Sequence, residues 1–144
     1  MIKIICVGKI KEAYLRDGIE DYKKRIGKYH KIDIVELEDS DILEEKNRIL
    51  KYINNKDYVI CLDIEGEQIS SLDFANKIDK LFINYSNITF IIGSSYGIHD
   101  DIKKLANFSL SFSKFTYPHQ LFRVILLEQI YRAFKIINNE TYHK

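Results

Sequence analysis

The chain has 144 residues, 46% of them hydrophobic and 30% charged, which suits one globular domain with a real core and argues against a disordered chain. A formal charge of +1 and a pI of about 7.7 exclude nucleic-acid binding through bulk charge, so any such role must rest on local patches. No apolar run reaches membrane-spanning length and the amino terminus lacks a signal-peptide layout, so a cytoplasmic protein without membrane contact is expected.

The apolar run Met1 to Gly8 predicts a first strand, and Leu15, Ile19, Tyr22 and Ile26 recur at helical spacing behind it. Ile32 to Leu37 predicts a second strand, followed by an acidic turn from Glu38 to Asp41 and a helix carrying Ile42, Leu43, Ile49, Leu50 and Ile53. Tyr58 to Ile64 is nearly unbroken apolar sequence, as expected of a strand covered on both faces, and is predicted to stop at Glu65-Gly66. Ser70 and Asp73 have capping spacing ahead of a helix through Phe82. Ile88 to Ile92 predicts a fourth buried strand, ending in the turn Gly93 to Gly97 and a short helix from Asp100 to Ala106. Phe108, Leu110 and Phe112 alternate with serines as a fifth strand. Pro118, the only proline, is expected in the first turn of a long apolar helix through Ile137. Strands alternating with helices, without linker or repeat, predict one α/β domain over residues 1–144 with a mainly parallel sheet of five to six strands flanked by helices.

Ligands of such sheets bind beyond the carboxyl ends of the strands, which here hold Leu62 to Gly66, Gly93 to Gly97 and Ser113 to Tyr117. Glycines, small hydroxyls and aromatic rings suit an adenine-containing cofactor better than a metal ion. Neither a Walker sequence nor a dinucleotide glycine fingerprint is present, and no His or Cys pair has metal-ligand spacing. Cys6 and Cys61 lie within core strands and read as inert thiols. His119, at a helix start, is placed to bind a phosphate, to orient a loop, or simply to satisfy a nearby backbone group. The final residues Thr141, Tyr142, His143 and Lys144 combine a stacking ring, an imidazole and a cation, although a frayed tail is the ordinary reading of a chain end.

The order Leu110-Ser-Phe-Ser113, Lys114, Thr116, Pro118, His119, Arg123, Leu127-Glu-Gln-Ile-Tyr-Arg-Ala133 and Tyr142-His143 closely resembles the RlmH family of ribosomal RNA methyltransferases, within the SPOUT superfamily. The likeness continues through Val7-Gly8-Lys9, Tyr22, Arg25, Leu62-Asp63-Ile64, Gly66 and Ile91-Ile92-Gly93. It implies an S-adenosylmethionine-dependent enzyme that methylates N3 of a pseudouridine in large-subunit ribosomal RNA, on the assembled 70S ribosome. It further implies a carboxyl-terminal trefoil knot, which pattern reasoning alone would reject. By resemblance, the cofactor touches Leu62, Gly93, Phe112, Ser113, Lys114, Phe115, Thr116 and Tyr117. Ser94 stands where relatives usually carry a second glycine, and the loop after Leu37 is shorter than theirs.

The expected chemistry is in-line methyl transfer to an imide nitrogen, which needs a base for the N3 proton or a cation for the developing anion. His143 and Arg123 are the candidates for those roles, and Tyr142 for stacking on a base. A homodimer is expected to bring one chain's tail to its partner's cofactor. The alternatives are a ribosome-binding protein of the same fold that has lost its cofactor, which Ser94 alone favours, and a transfer-RNA methyltransferase.

Overall fold

The structure, a computed structural model, describes all 144 residues. Its elements run β1 (Ile2–Val7), α1 (Ala13–Gly27), β2 (Ile32–Leu37), α2 (Ile42–Leu50), β3 (Tyr58–Gln68), α3 (Ser71–Asn84), β4 (Ile88–Ile92), α4 (Asp100–Leu105), β5 (Phe108–Ser111) and α5 (His119–Ile137). The five strands form one sheet in the order β2-β1-β4-β3-β5. Every pairing is parallel, so helices must cover both faces to keep the strands dry.

Alternation along β1 assigns the faces. Ile2, Ile4 and Cys6 point into the larger core with Leu15, Ile19 and Ile26 of α1, Phe74 and Ile78 of α3, and Leu126, Leu127 and Ile130 of α5. Ile5 and Val7 point the other way, onto Ile49 of α2 and Ile102 of α4. The helix α5 therefore lies between α1 and α3 on the heavier side of the sheet. Local capping agrees with this layout: the Ser70 hydroxyl accepts from the Asp73 N–H, and the Asp41 carboxylate accepts from the Glu44 N–H.

Several boundaries differ from the expected ones: α2 ends at Leu50, short of Ile53, and β5 at Ser111, short of Phe112. Strand β3 runs past Gly66 to Gln68, because Glu67 and Gln68 rejoin β5 after a register shift following Leu62. Pro118 is the residue before the first turn of α5 rather than within it; its carbonyl accepts the Phe122 N–H at 2.9 Å. The sheet has five strands, the lower of the expected counts. No helix is long and apolar enough to cross a membrane.

Both cysteines are free and fully buried. Burial pushes each thiol up from an ordinary value of 9 to about 12, and Asp63 adds to the rise at Cys61. At pH 8 neither should react with iodoacetamide until urea unfolds the chain, whereupon both should. Because the folded values lie above the unfolded ones, the stability they contribute is complete below pH 9 and lost as pH rises toward 12. The urea midpoint should therefore fall more steeply above pH 9 in the wild type than in a Cys6→Ala, Cys61→Ala chain; parallel curves would contradict this.

Candidate functional site

Parallel pairing places the carboxyl ends of β4 and β5 on one edge of the sheet, where they meet the register break within β3. Leu62 to Ile64 of β3, the turn after β4 and the segment after β5 line one cleft of about 470 Å³, within the range of small-molecule sites. The β4 turn is built by close approach. A Cβ on Gly93 would stand 2.4 Å from the Gly97 carbonyl oxygen, so no side chain fits there. Gly97 itself has φ +81°, a conformation that L side chains rarely adopt, and its N–H closes the turn on the Ser94 carbonyl at 2.9 Å.

The opposite wall is held by serine hydroxyls and ring packing. Ser113 Oγ accepts from the Phe115 N–H at 3.1 Å and shares a hydrogen bond with the Tyr117 hydroxyl at 3.0 Å. The Ser111 hydroxyl donates to the Ser113 carbonyl at 2.9 Å. Phe112 and Tyr117 rest on Phe122 of α5, with ring centroids 4.8 and 5.6 Å away. Phe115 stands 79% exposed at the rim, an apolar ring without a partner in this chain.

Of the eight residues named for the cofactor, Leu62, Gly93, Phe112, Ser113, Phe115, Thr116 and Tyr117 line this cleft, while Lys114 is exposed outside it. His119 also lines it and reaches the end of β1, its Nε2 being 3.2 Å from where a Cβ on Gly8 would lie. Sequence reasoning assigned no role to Asp63 and Lys103, an ion pair at 3.2 Å in the cleft wall. The available signal was a lone carboxylate interrupting the apolar run of β3. No group of three His, Cys, Asp or Glu side chains is placed to hold a metal ion.

The catalytic candidates lie elsewhere. Arg123 is fully buried and does not line the cleft; one guanidinium nitrogen donates to Glu36 and the other to the Gly8 carbonyl at 2.9 Å. With its Nε unpartnered, it ties α5 to the ends of β1 and β2, away from the cleft. Tyr142 and His143 are not at their own chain's cleft either. The Tyr142 ring packs edge-on against Tyr131 at 4.9 Å, and its hydroxyl donates to Glu128. Burial, with Glu128 adding, pushes that hydroxyl up to about 12, so it remains protonated. Arg132, paired with Glu128, lies over the Tyr142 ring and donates to His143 Nδ1 at 3.0 Å.

An anchoring role for Arg123 predicts that Arg123→Met costs about 1 to 3 kcal/mol in urea unfolding, since the Gly8 carbonyl is left without its donor. Unchanged stability with lost turnover would restore it to the chemistry.

The family model described as predicted SPOUT methyltransferase matches residues 1–143. A putative ribosomal RNA large subunit methyltransferase H from Methanococcus maripaludis is 52% identical over 99% of both chains. Ribosomal RNA large subunit methyltransferase H proteins from Clostridium beijerinckii and Streptococcus uberis are 51% and 50% identical over the same shares. These alignments span 157 residues against the 144 present here, so the relatives carry residues that this chain lacks. Among solved structures, the SpoU methyltransferase AviRb from Streptomyces viridochromogenes matches with a TM-score of 0.52 at 10% identity, over 98% of this chain and 62% of that one, a likeness of fold alone. Matched from end to end by both the family model and these relatives, the chain belongs to the RlmH family of SPOUT methyltransferases.

Proposed function

We propose that this chain, as a homodimer, uses S-adenosylmethionine to methylate N3 of a pseudouridine in large-subunit ribosomal RNA, acting on the assembled ribosome. The observation that carries the reading is the cleft: segments of β3, β4 and β5 converge at a turn where Gly93 admits no side chain, in a chain half identical to named ribosomal RNA methyltransferases. The carboxyl-terminal knot is part of this reading through family membership.

The residues present suit such a cofactor. Flat rings at Phe112, Phe115 and Tyr117 offer surface for a purine, Asp63 offers a carboxylate for hydroxyl groups, and the absence of a Gly93 side chain lets the turn fold tightly on Gly97. When bound, S-adenosylmethionine supplies an electrophilic methyl group on a sulfonium. The protein's part is chiefly alignment, which the rigid Ser113–Tyr117 wall and the β4 turn provide.

The target imide carries its proton at neutral pH, so charge must be managed where nitrogen becomes nucleophilic. Arg132 takes over the cationic role first expected of Arg123, because its guanidinium sits beside the tail. In the docked tail the Arg132 donor occupies His143 Nδ1, so the neutral ring keeps its proton on Nε2. His143 is then a donor to a base carbonyl, and becomes a proton acceptor only on leaving Arg132. Tyr142, held protonated, stacks or donates.

The separation of two residues on the last helix supports the dimer. His119, at the cleft, and Arg132, beside the tail, are thirteen positions apart on α5, or about 20 Å along the axis. Arg132 therefore cannot reach its own chain's cleft, whereas the Arg132 of an antiparallel partner helix could. Ser94 does not favour a non-catalytic reading: its hydroxyl turns to Glu45 and its φ is not positive. The relatives' printed names speak of ribosomal rather than transfer RNA.

Titration calorimetry should show one S-adenosylmethionine bound per chain. His143→Ala should cut turnover on ribosomes by about a hundredfold with donor affinity intact; undiminished turnover removes His143 from the chemistry. Ribosomal RNA from cells lacking the gene should lose methylated pseudouridine by nucleoside mass spectrometry.

A further inference from the structure

Glu45, in the first turn of α2, is a buried carboxylate only 3% exposed, and no cation pairs with it. Such a group is costly to hide unless its oxygens are satisfied. Here each has one neutral donor: the Ser94 hydroxyl reaches Oε1 at 2.8 Å, and the Ser40 N–H reaches Oε2 at 2.9 Å. The amino-terminal end of α2 offsets part of the charge.

The Ser94 contact matters because of where Ser94 sits. It follows Gly93, where a Cβ would collide with the Gly97 carbonyl, and it opens the turn that walls the cleft. Its Oγ accepts from the Tyr96 N–H at 3.3 Å while its carbonyl accepts from the Gly97 N–H at 2.9 Å. One serine thus holds both arms of the turn, and its hydroxyl proton is committed to Glu45. A glycine here would lack the hydroxyl and leave the turn to its own backbone freedom.

We infer that Glu45 and Ser94 form a positioning pair, in which the α2 carboxylate clamps the turn after β4 in the shape that receives the methyl donor. Neither touches the reacting atoms, and the inference rests on reading the cleft as the donor site. It explains how this chain dispenses with the second glycine: a side-chain hydrogen bond sets the turn geometry from behind.

The test uses the full-length chain with Ser94→Ala, Glu45→Gln and the double variant, assayed on ribosomes with S-adenosylmethionine. Ser94→Ala should raise the KM for S-adenosylmethionine roughly tenfold, the equivalent of one hydrogen bond, while kcat at saturating donor and KM for ribosomes stay within twofold. The double variant should be no worse than the poorer single variant, because the two residues act as one unit. Amide exchange should quicken at Tyr96 and Gly97 and stay slow in β1. Glu45→Gln, nearly isosteric, keeps the test open if Ser94→Ala folds poorly. Wild-type KM in both single variants, additive losses, or a fall in kcat at saturating donor would each overturn the pairing. A wild type that binds no S-adenosylmethionine would instead sink the reading of the cleft, and this inference with it.

Discussion

Strand β3 pairs in parallel with β4 on one side and β5 on the other, and this pairing is the constraint on which the site depends. It sets the ends of β4 and β5 beside the register break of β3 at one edge of the sheet, so that three chain segments share one space. A hairpin between any two of these strands would send their loops to opposite edges and dissolve the cleft. The pairing in turn requires apolar cover on both faces, which explains why β1 and β4 are buried at every position.

The last helix converts that sheet into a site with two ends. Along α5, Leu126, Leu127, Ile130 and Phe134 lock into the core, while Arg123 reaches under the cleft to the Gly8 carbonyl and Glu36. A guanidinium fully withdrawn from water is tolerable there because Glu36 opposes its charge and the Gly8 carbonyl accepts a second bond. Its effect is to fix the start of the helix, and with it Phe122, the ring on which Phe112 and Tyr117 rest.

The architecture was legible because its elements have clear periods: two for the half-buried β5, near 3.6 for α1 and α3, and continuous apolar runs for β3 and β4. The positions of Leu62, Gly93 and the 112–117 segment at one cleft followed from topology together with the family resemblance. The burial of Arg123 was not read from the sequence, because a charged residue in a helix suggests solvent or substrate. Yet Arg123, Leu127, Ile130 and Phe134 fall at i, i+4, i+7 and i+11, the buried stripe itself. That spacing contained the correct placement. The continuation of β3 beyond Gly66 was not legible, since a glycine after a charged residue looks like a turn until a neighbouring strand is there to accept the backbone. The Glu45–Ser94 contact joins residues 49 positions apart, and no local pattern marks it.

The same helix explains how so small and nearly neutral a chain can manage both a cofactor and an RNA on the proposed reading. A cleft filled by a nucleoside cofactor leaves little of a 144-residue surface for substrate, and a net charge of +1 gives no general pull on phosphates. Placing Arg132, Tyr142 and His143 at the far end of α5 gives each chain a second, chemically distinct patch, built from a cation, a ring and an imidazole. Two such chains, paired head to tail along α5, would form two complete sites, each with its cofactor wall from one subunit and its polar groups from the other. Neither half is useful alone, so chemistry would wait on assembly, and specificity would come from the shape of the composite cleft rather than from long-range charge.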